Sequence, residues 1–389
     1  MENLDYIHSL INLCFAENKE SFVHSYNELQ QKSNWKNIAK VNFLLPLVFY
    51  RAKKLGALSA LQQKDSELAD KQLKRASVKN LKLNHAFSKL YTIALNNNIE
   101  ITAIKGVYLQ HYLYPESYLR QMVDIDILVA ASKVEELRKK LVIEGAIPIT
   151  VHQSRFIESL LHQISPIKLN DVSIEIHRNL FDSFDEFVCP EALIASNSRV
   201  ETLSGHKVKV LNNEFLLVYL CCHVFNTIRG GSLRLISLID IFLLLNKSNI
   251  NVEQLNSIAK EMNATLALQN ILYLVSKLFK VETPCCPSTP ENIELFPISL
   301  DYAIKIFLSE QPPFDTSHYF TKFKKINGFK NKTKYILHAV FPQQEYIKNR
   351  YLQPPFTFSK LCQAYIIHIA SFIRTGNKTI FHFLRQKRA

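Results

Sequence analysis

At 389 residues and 47% apolar content, the chain is long enough for two or three domains, each with a substantial core. The whole formal net charge of +13 lies from Thr316 onward, where 14 Lys and Arg face one acid, Glu345, and the preceding residues balance to zero. No basic segment followed by an apolar run opens the chain, and no window of about 18 residues is free of charge, so neither a secretory leader nor a spanning helix is expected.

The first 98 residues read as helical. Leu4, Ile7, Ile11 and Phe15 recur at helical spacing. Trp35, Ile38 and Val41 lead into Phe43-Leu44-Leu45, where Pro46 starts a new turn or kinks the helix. Residues 64–79 are charged and suit a solvated helix surface or a connection. Leu83, Phe87, Leu90 and Ala94 then mark one face of a further helix, which Asn96-Asn97-Asn98 should end.

From residue 99 the pattern changes. Residues 99–104 are strand-like, Lys105-Gly106 makes a sharp turn, and a short helix over 107–114 stops at Pro115. A strand follows over 123–129. Ser132 with Glu135 resembles a capping box opening a helix that ends at Gly145, and 147–151 suits another strand. Residues 164–169 and 172–177 flank Asn170-Asp171, and 200–203 and 207–211 flank Ser204-Gly205; both turns suit hairpins. Helices then return over 214–228, 233–246, 252–262 and 266–279, before Pro284, Pro287 and Pro290 mark a break. The expected divisions are a helical region 1–98, an α/β core 99–212, a helical region 213–283 packed on it, and a basic, aromatic-rich helical region 284–389. Seven cysteines without Cys-x-x-Cys spacing read as buried, reduced thiols of a cytoplasmic protein.

The chemistry concentrates on residues 123–129. Apolar Val123, Ile125, Ile127 and Val129 alternate with Asp124, Asp126 and Leu128, so the two aspartates project from one face of a strand. Two carboxylates so close repel unless a cation sits between them. The rival reading is a pair of solvated acids on an edge strand. Against it stands the second hairpin strand, where Glu175 shares a face with Ser173 and His177 and supplies a third carboxylate. Such a set holds Mg²⁺ or Mn²⁺, two ions in the two-metal form of phosphoryl or nucleotidyl transfer. Lys105, Gly106 and Arg120 are the candidates for contacting nucleotide phosphates.

The run Ile104-Lys105-Gly106, Tyr114-Pro115, Arg120, Asp124-Ile125-Asp126-Ile127-Leu128-Val129, Gly145 and Ile174-Glu175-Ile176-His177 resembles the uncharacterised nucleotidyltransferase family of the DNA-polymerase-β-like superfamily. The similarity spans about residues 30–260, including Trp35 and the stretch 43–50, and continues through His223, Arg234 and Asp240. It implies an α/β (α+β) fold, a polymerase-β-like nucleotidyltransferase core with a mixed sheet flanked by helical segments. It also implies Asp124, Asp126 and Glu175 as catalytic metal ligands and an NTP as substrate. Lys105-Gly106 stands where better-studied relatives carry Gly-Ser, and Glu175 where many carry Asp.

Two readings of His177 stay open: it orients Glu175, or it is a structural histidine. His223, Arg234 and Asp240 suit a buried polar cluster. The basic end, with runs such as Tyr319-Phe320-Thr321-Lys322-Phe323-Lys324-Lys325, suits a solvated face, RNA such as tRNA, or less readily an anionic membrane surface at 372–388. The expected activity is therefore NMP transfer from an NTP to an acceptor hydroxyl or phosphate with release of pyrophosphate. RNA, a protein hydroxyl and a small molecule are the candidate acceptors. The alternative is a non-catalytic nucleotide- or RNA-binding protein on the same fold.

Overall fold

The structure, a computed structural model, describes residues 2–31, 34–149, 154–284, 297–309, 323, 326 and 328–386, with side chains up to residue 373. Seven strands form one mixed sheet: β1 (Thr102–Ala103), β2 (Asp124–Leu128), β3 (Ile147–Pro148), β4 (Ile167–Leu169), β5 (Val172–His177), β6 (Ser198–Leu203) and β7 (His206–Leu211). They hydrogen-bond in the order β3-β4-β5-β2-β1-β7-β6. The α/β class with a mixed sheet and many helices is the one expected.

The chain divides into two compact units. The first comprises residues 1–92, 102–125 and 189–313; the second comprises 93–101, 126–188 and 314–389. In the first, β6 and β7 form an antiparallel hairpin, and β7 runs parallel to β1 with Thr102 opposite Lys209 and Ala103 opposite Val210. Its core is built on the helix Asn213–Arg229, whose residues Phe215 to Cys222 are all buried. The Asn212 side chain accepts from the Phe215 N–H and caps that helix. Cys221 and Cys222 pack inside it as small apolar groups, and burial pushes the Cys221 thiol up. No helix among the described residues is long and apolar enough to cross a membrane.

Residues 64–79 belong to a single helix, Gln63–Asn96, of 34 residues. Its charged first turns are not merely solvated. Asp65 is fully buried, 2.6 Å from Lys36 Nζ, and accepts from Tyr26 Oη at 2.8 Å. A buried carboxylate with a cation and a phenol is held where a lone one would be expelled.

In the second unit, β4 and β5 are joined by Asn170-Asp171 with φ of 49° and 64°, both in the left-handed region. Leu169 pairs with Val172, so this is the two-residue turn whose twist matches its strands. Ser204 and Gly205 repeat the arrangement between β6 and β7, within the first unit. The helix Val134–Ile143 starts differently from expectation. A 3₁₀ turn, Ala131–Lys133, precedes it and no side chain caps it, so Ser132 and Glu135 form no capping box. It ends as expected at Gly145, φ 91°, with Ala146 N bonded to Leu141 O.

Farther along, Ile157 and Phe184 pack with Ile326, Tyr335 and Ala339, so part of the basic end shares a core with this unit. Most of the run 319–325, Pro287, Pro290, residues 150–151, Lys387 and Arg388 lie outside the described residues, as does the Arg385 side chain.

The β4–β5 turn yields a test. Asp171 is exposed, and its ion pair with Lys168 is a surface pair of little energetic weight. Asp171→Gly removes the left-handed penalty and raises stability by about 0.5 kcal/mol, after the greater freedom of the unfolded glycine is subtracted. Urea denaturation of both proteins reads it.

Candidate active site

Successive residues of a strand alternate faces, so Glu175 and His177 emerge side by side from β5. Both meet Asp126 of β2. His177 Nε2 lies 3.0 Å from Asp126 Oδ1 and 3.9 Å from Glu175 Oε2, and one donor atom from each residue falls within 4.8 Å of the others. His177 is fully buried, Asp126 is 7% exposed and Glu175 is half-buried. The backbone supports this meeting, because Val129 N bonds to His177 O at 2.9 Å at the end of the two strands.

Two carboxylates and an imidazole are a donor set for a divalent ion. Hard ions such as Mg²⁺ and Mn²⁺ take the two oxygen ligands, and the neutral imidazole nitrogen suits a softer ion or an outer position donating to a ligating carboxylate. With His177 Nε2 at hydrogen-bond distance from Asp126 Oδ1, the outer position is the one this geometry favours. The residue expected beside Glu175 therefore sits against Asp126.

Behind His177 is an arrangement that the sequence did not announce. The His162 ring packs against His177 with centroids 5.0 Å apart and planes tilted by 39°. Its Nδ1 is 2.5 Å from Asp182 Oδ1, which also accepts the His162 backbone N–H at 2.8 Å. Asp182, itself buried, thereby fixes the ring that backs the imidazole of the site. His162 and Asp182 lie in irregular segments, 20 residues apart and without motif spacing, so no local pattern marks them.

Asp124 is half-buried, two residues before Asp126 on β2 and so on the same face. It lies in the first unit, where its charge acts on Lys79 and Arg234 and opposes the lowering that burial imposes on both cations.

The Lys105-Gly106 turn is also in the first unit. Lys105 immediately precedes the helix Gly106–Tyr112, at its N-cap. A Cβ on Gly106 would fall 2.6 Å from Met122 Sδ and 2.9 Å from Arg120 Nη1, so only glycine lets those side chains close on the turn. Arg120 is held from its other edge. Its Nη2 donates to Asp240 Oδ2 at 2.8 Å and its Nε to both carboxylate oxygens at 3.2 Å. Tyr114 Oη donates to Asp240 Oδ1 at 2.7 Å. Burial, reinforced by the Asp240 charge, pushes the Tyr114 phenol well up, so it remains a donor. Asp240 is thus the acceptor of a buried ion pair. Its expected companion Arg234 instead lies over the Phe43 ring at 4.1 Å, and the half-buried His223 has Tyr219 as a ring neighbour at 6.4 Å.

Among known proteins, the model of a family described as an uncharacterised nucleotidyltransferase matches residues 31–280. No curated protein and no solved structure matches the chain.

Two substitutions test the Arg120 arrangement. Asp240→Ala strands a guanidinium that is 12% exposed and costs about 3–5 kcal/mol, the scale of a broken buried pair, read as a lower denaturant midpoint. Gly106→Ala forces Met122 and Arg120 apart and costs about 1–3 kcal/mol by the same measurement.

Proposed function

The chain belongs to the uncharacterised nucleotidyltransferase family, and from that premise we propose that it moves an NMP from an NTP to an acceptor hydroxyl or phosphate, with Asp124, Asp126 and Glu175 as the catalytic carboxylates. In this reaction the acceptor oxygen forms a bond to the α-phosphorus, the bond from that phosphorus to the bridging oxygen breaks, and pyrophosphate leaves with the electron pair. The observation that carries the reading is the convergence of Asp126 and Glu175, with His177, within 4.8 Å on neighbouring strands.

Asp126 and Glu175 are the residues that would hold Mg²⁺ or Mn²⁺, with Asp124 completing the set as the next acid on the same face of β2. Bound there, the ions supply Lewis-acid charge at the phosphoryl oxygens and at the attacking and leaving oxygens. His177 keeps Asp126 in one rotamer by hydrogen-bonding one of its carboxylate oxygens. His162 and Asp182 fix the imidazole from behind. Glu175, more exposed than Asp126, takes the proton released by the acceptor hydroxyl. Lys105 and Gly106 contact the nucleotide phosphates, and Arg120, held by Asp240, presents Nη1 to the same turn.

Two acceptor classes suit this chemistry. RNA, such as tRNA, is favoured by the excess positive charge from Thr316 onward, which would follow a phosphate backbone. A small molecule is favoured by a cleft in the first unit lined by Phe43 and Arg234. A cytoplasmic setting with ATP or another NTP completes the reading.

Incubation with each α-labelled NTP, Mg²⁺ or Mn²⁺, and candidate acceptors tests it. Label passes to the acceptor with wild-type protein, and Asp126→Ala abolishes that transfer while its melting temperature stays close to wild type. His177→Gln weakens Mn²⁺ binding, read by paramagnetic resonance, by about 10–100-fold, the effect of losing the partner that orients a ligand. Absence of label on every acceptor, with nucleotide still bound, establishes the non-catalytic binder instead.

A further inference from the structure

The first unit contains a cleft of about 580 Å³, within the size range of small-molecule sites. Phe43, Lys40, Gln121 and Arg234 line it. Its construction starts with a backbone exception. The helix Trp35–Val41 ends with Phe43 at φ 64°, a left-handed position that usually belongs to glycine. Phe43 N bonds to Lys40 O at 3.1 Å and Leu44 N to Ala39 O at 2.8 Å, the two bonds of a Schellman ending. A phenylalanine there costs about 1–2 kcal/mol over glycine, and strain of this kind gathers where a side chain is needed in a particular place.

That place is between two cations. The Arg234 guanidinium lies 4.1 Å from the Phe43 ring centroid and Lys79 Nζ lies 6.0 Å from it. The neighbouring Asn42 locks the arrangement. Its Oδ1 accepts the Leu235 N–H at 2.8 Å, and its Nδ2 donates to Phe307 O at 2.9 Å. The residue before Phe43 is therefore tied to the residue after Arg234. Among the described residues, Lys79 and Arg234 make no side-chain hydrogen bond or ion pair, in contrast to Arg120 with its three bonds to Asp240. Both feel the charge of Asp124. A half-buried Lys79 and an exposed Arg234, both beside the Phe43 ring and without a hydrogen-bonded acid among the described residues, suit an anion.

We propose that this cleft is the acceptor pocket, and that it takes a small hydroxylated molecule whose phosphate or carboxylate is held by Arg234, which lines it, with Lys79 reaching in from beside the Phe43 ring at its wall. The proposal rests on the nucleotidyl-transfer reading for the role of its ligand. With Lys105, Gly106 and Arg120 serving the nucleotide, this second set of cations beside Asp124 falls to the other reactant. The size of the cleft and the Phe43 wall favour a small molecule over a polymer.

The test is calorimetric titration of the full-length protein in EDTA, so that it does not depend on the metal site. The probes are ribose 5-phosphate and gluconate, with ATP and a single-stranded RNA oligonucleotide for comparison. Binding of ribose 5-phosphate or gluconate that weakens at least tenfold in both Lys79→Gln and Arg234→Gln, while ATP binding is unchanged, supports the proposal. Because neither side chain holds the fold by a hydrogen bond, both variants should melt like the wild type. Lys40→Gln, at an exposed position on the same cleft, gives a further reading should either fail to fold. The proposal is overturned if neither small anion binds the wild type, if both bind the variants unchanged, if ATP is the ligand lost, or if RNA alone binds. Binding of the small anions as expected, with no metal-dependent transfer by the wild type, would strike the nucleotidyl-transfer reading instead.

Discussion

Two carboxylates that ought to avoid each other are held together by the strands they stand on. At about 4 Å and an effective dielectric of 20, like charges repel by about 4 kcal/mol. A hydrogen bond from an imidazole to an ionised group returns about 1.5–3 kcal/mol. His177, 3.0 Å from Asp126 and 3.9 Å from Glu175, offsets part of the cost of placing both acids in one cluster. The strand pairing that forces the approach also supplies the reason for it. A divalent ion held by these oxygens would turn the repulsion into attraction. The tilted His162 ring, held by Asp182, gives the buried imidazole a fixed wall.

Within the first unit, cations are treated in two opposite ways. Arg120 is buried and hydrogen-bonded to Asp240, and Tyr114 takes up the carboxylate capacity that remains. Such a pair is expensive to break and fixes the turn at Gly106. Lys79 and Arg234 lie beside Phe43, with the Asn42 clamp fixing the backbone next to Arg234, but have no hydrogen-bonded acid among the described residues. The first arrangement is structural in its energetics. The second keeps its electrostatic capacity for something that arrives.

Much of the fold was legible because its signals are local. The alternation over 123–129 and 172–177 appears as β2 and β5, and Asn170-Asp171 and Ser204-Gly205 turn as their left-handed tolerance requires. Gly145 ends its helix by the same logic. Where several local signals compete, the reading was weaker. The charged stretch 64–79 is part of one long helix because Lys36 and Tyr26 satisfy Asp65, and nothing within the stretch itself reveals those partners. Ser132 and Glu135 have the spacing of a capping box, but the chain enters its helix through a 3₁₀ turn that puts Lys133 at the cap.

By itself, then, the sequence determined the class of fold, the two acidic strands and the family resemblance, since periodicity and turn chemistry act over a few residues. Only the tertiary structure decided which charges meet. Asp126 and His177 are 51 residues apart, Arg120 and Asp240 are 120 apart, and Asn42 and Leu235 are 193 apart. No side chain encodes its partner over such distances. The partner is set by the sheet order and helix packing that follow from burying the apolar faces, and a polar group takes whichever acceptor that packing brings within about 3 Å.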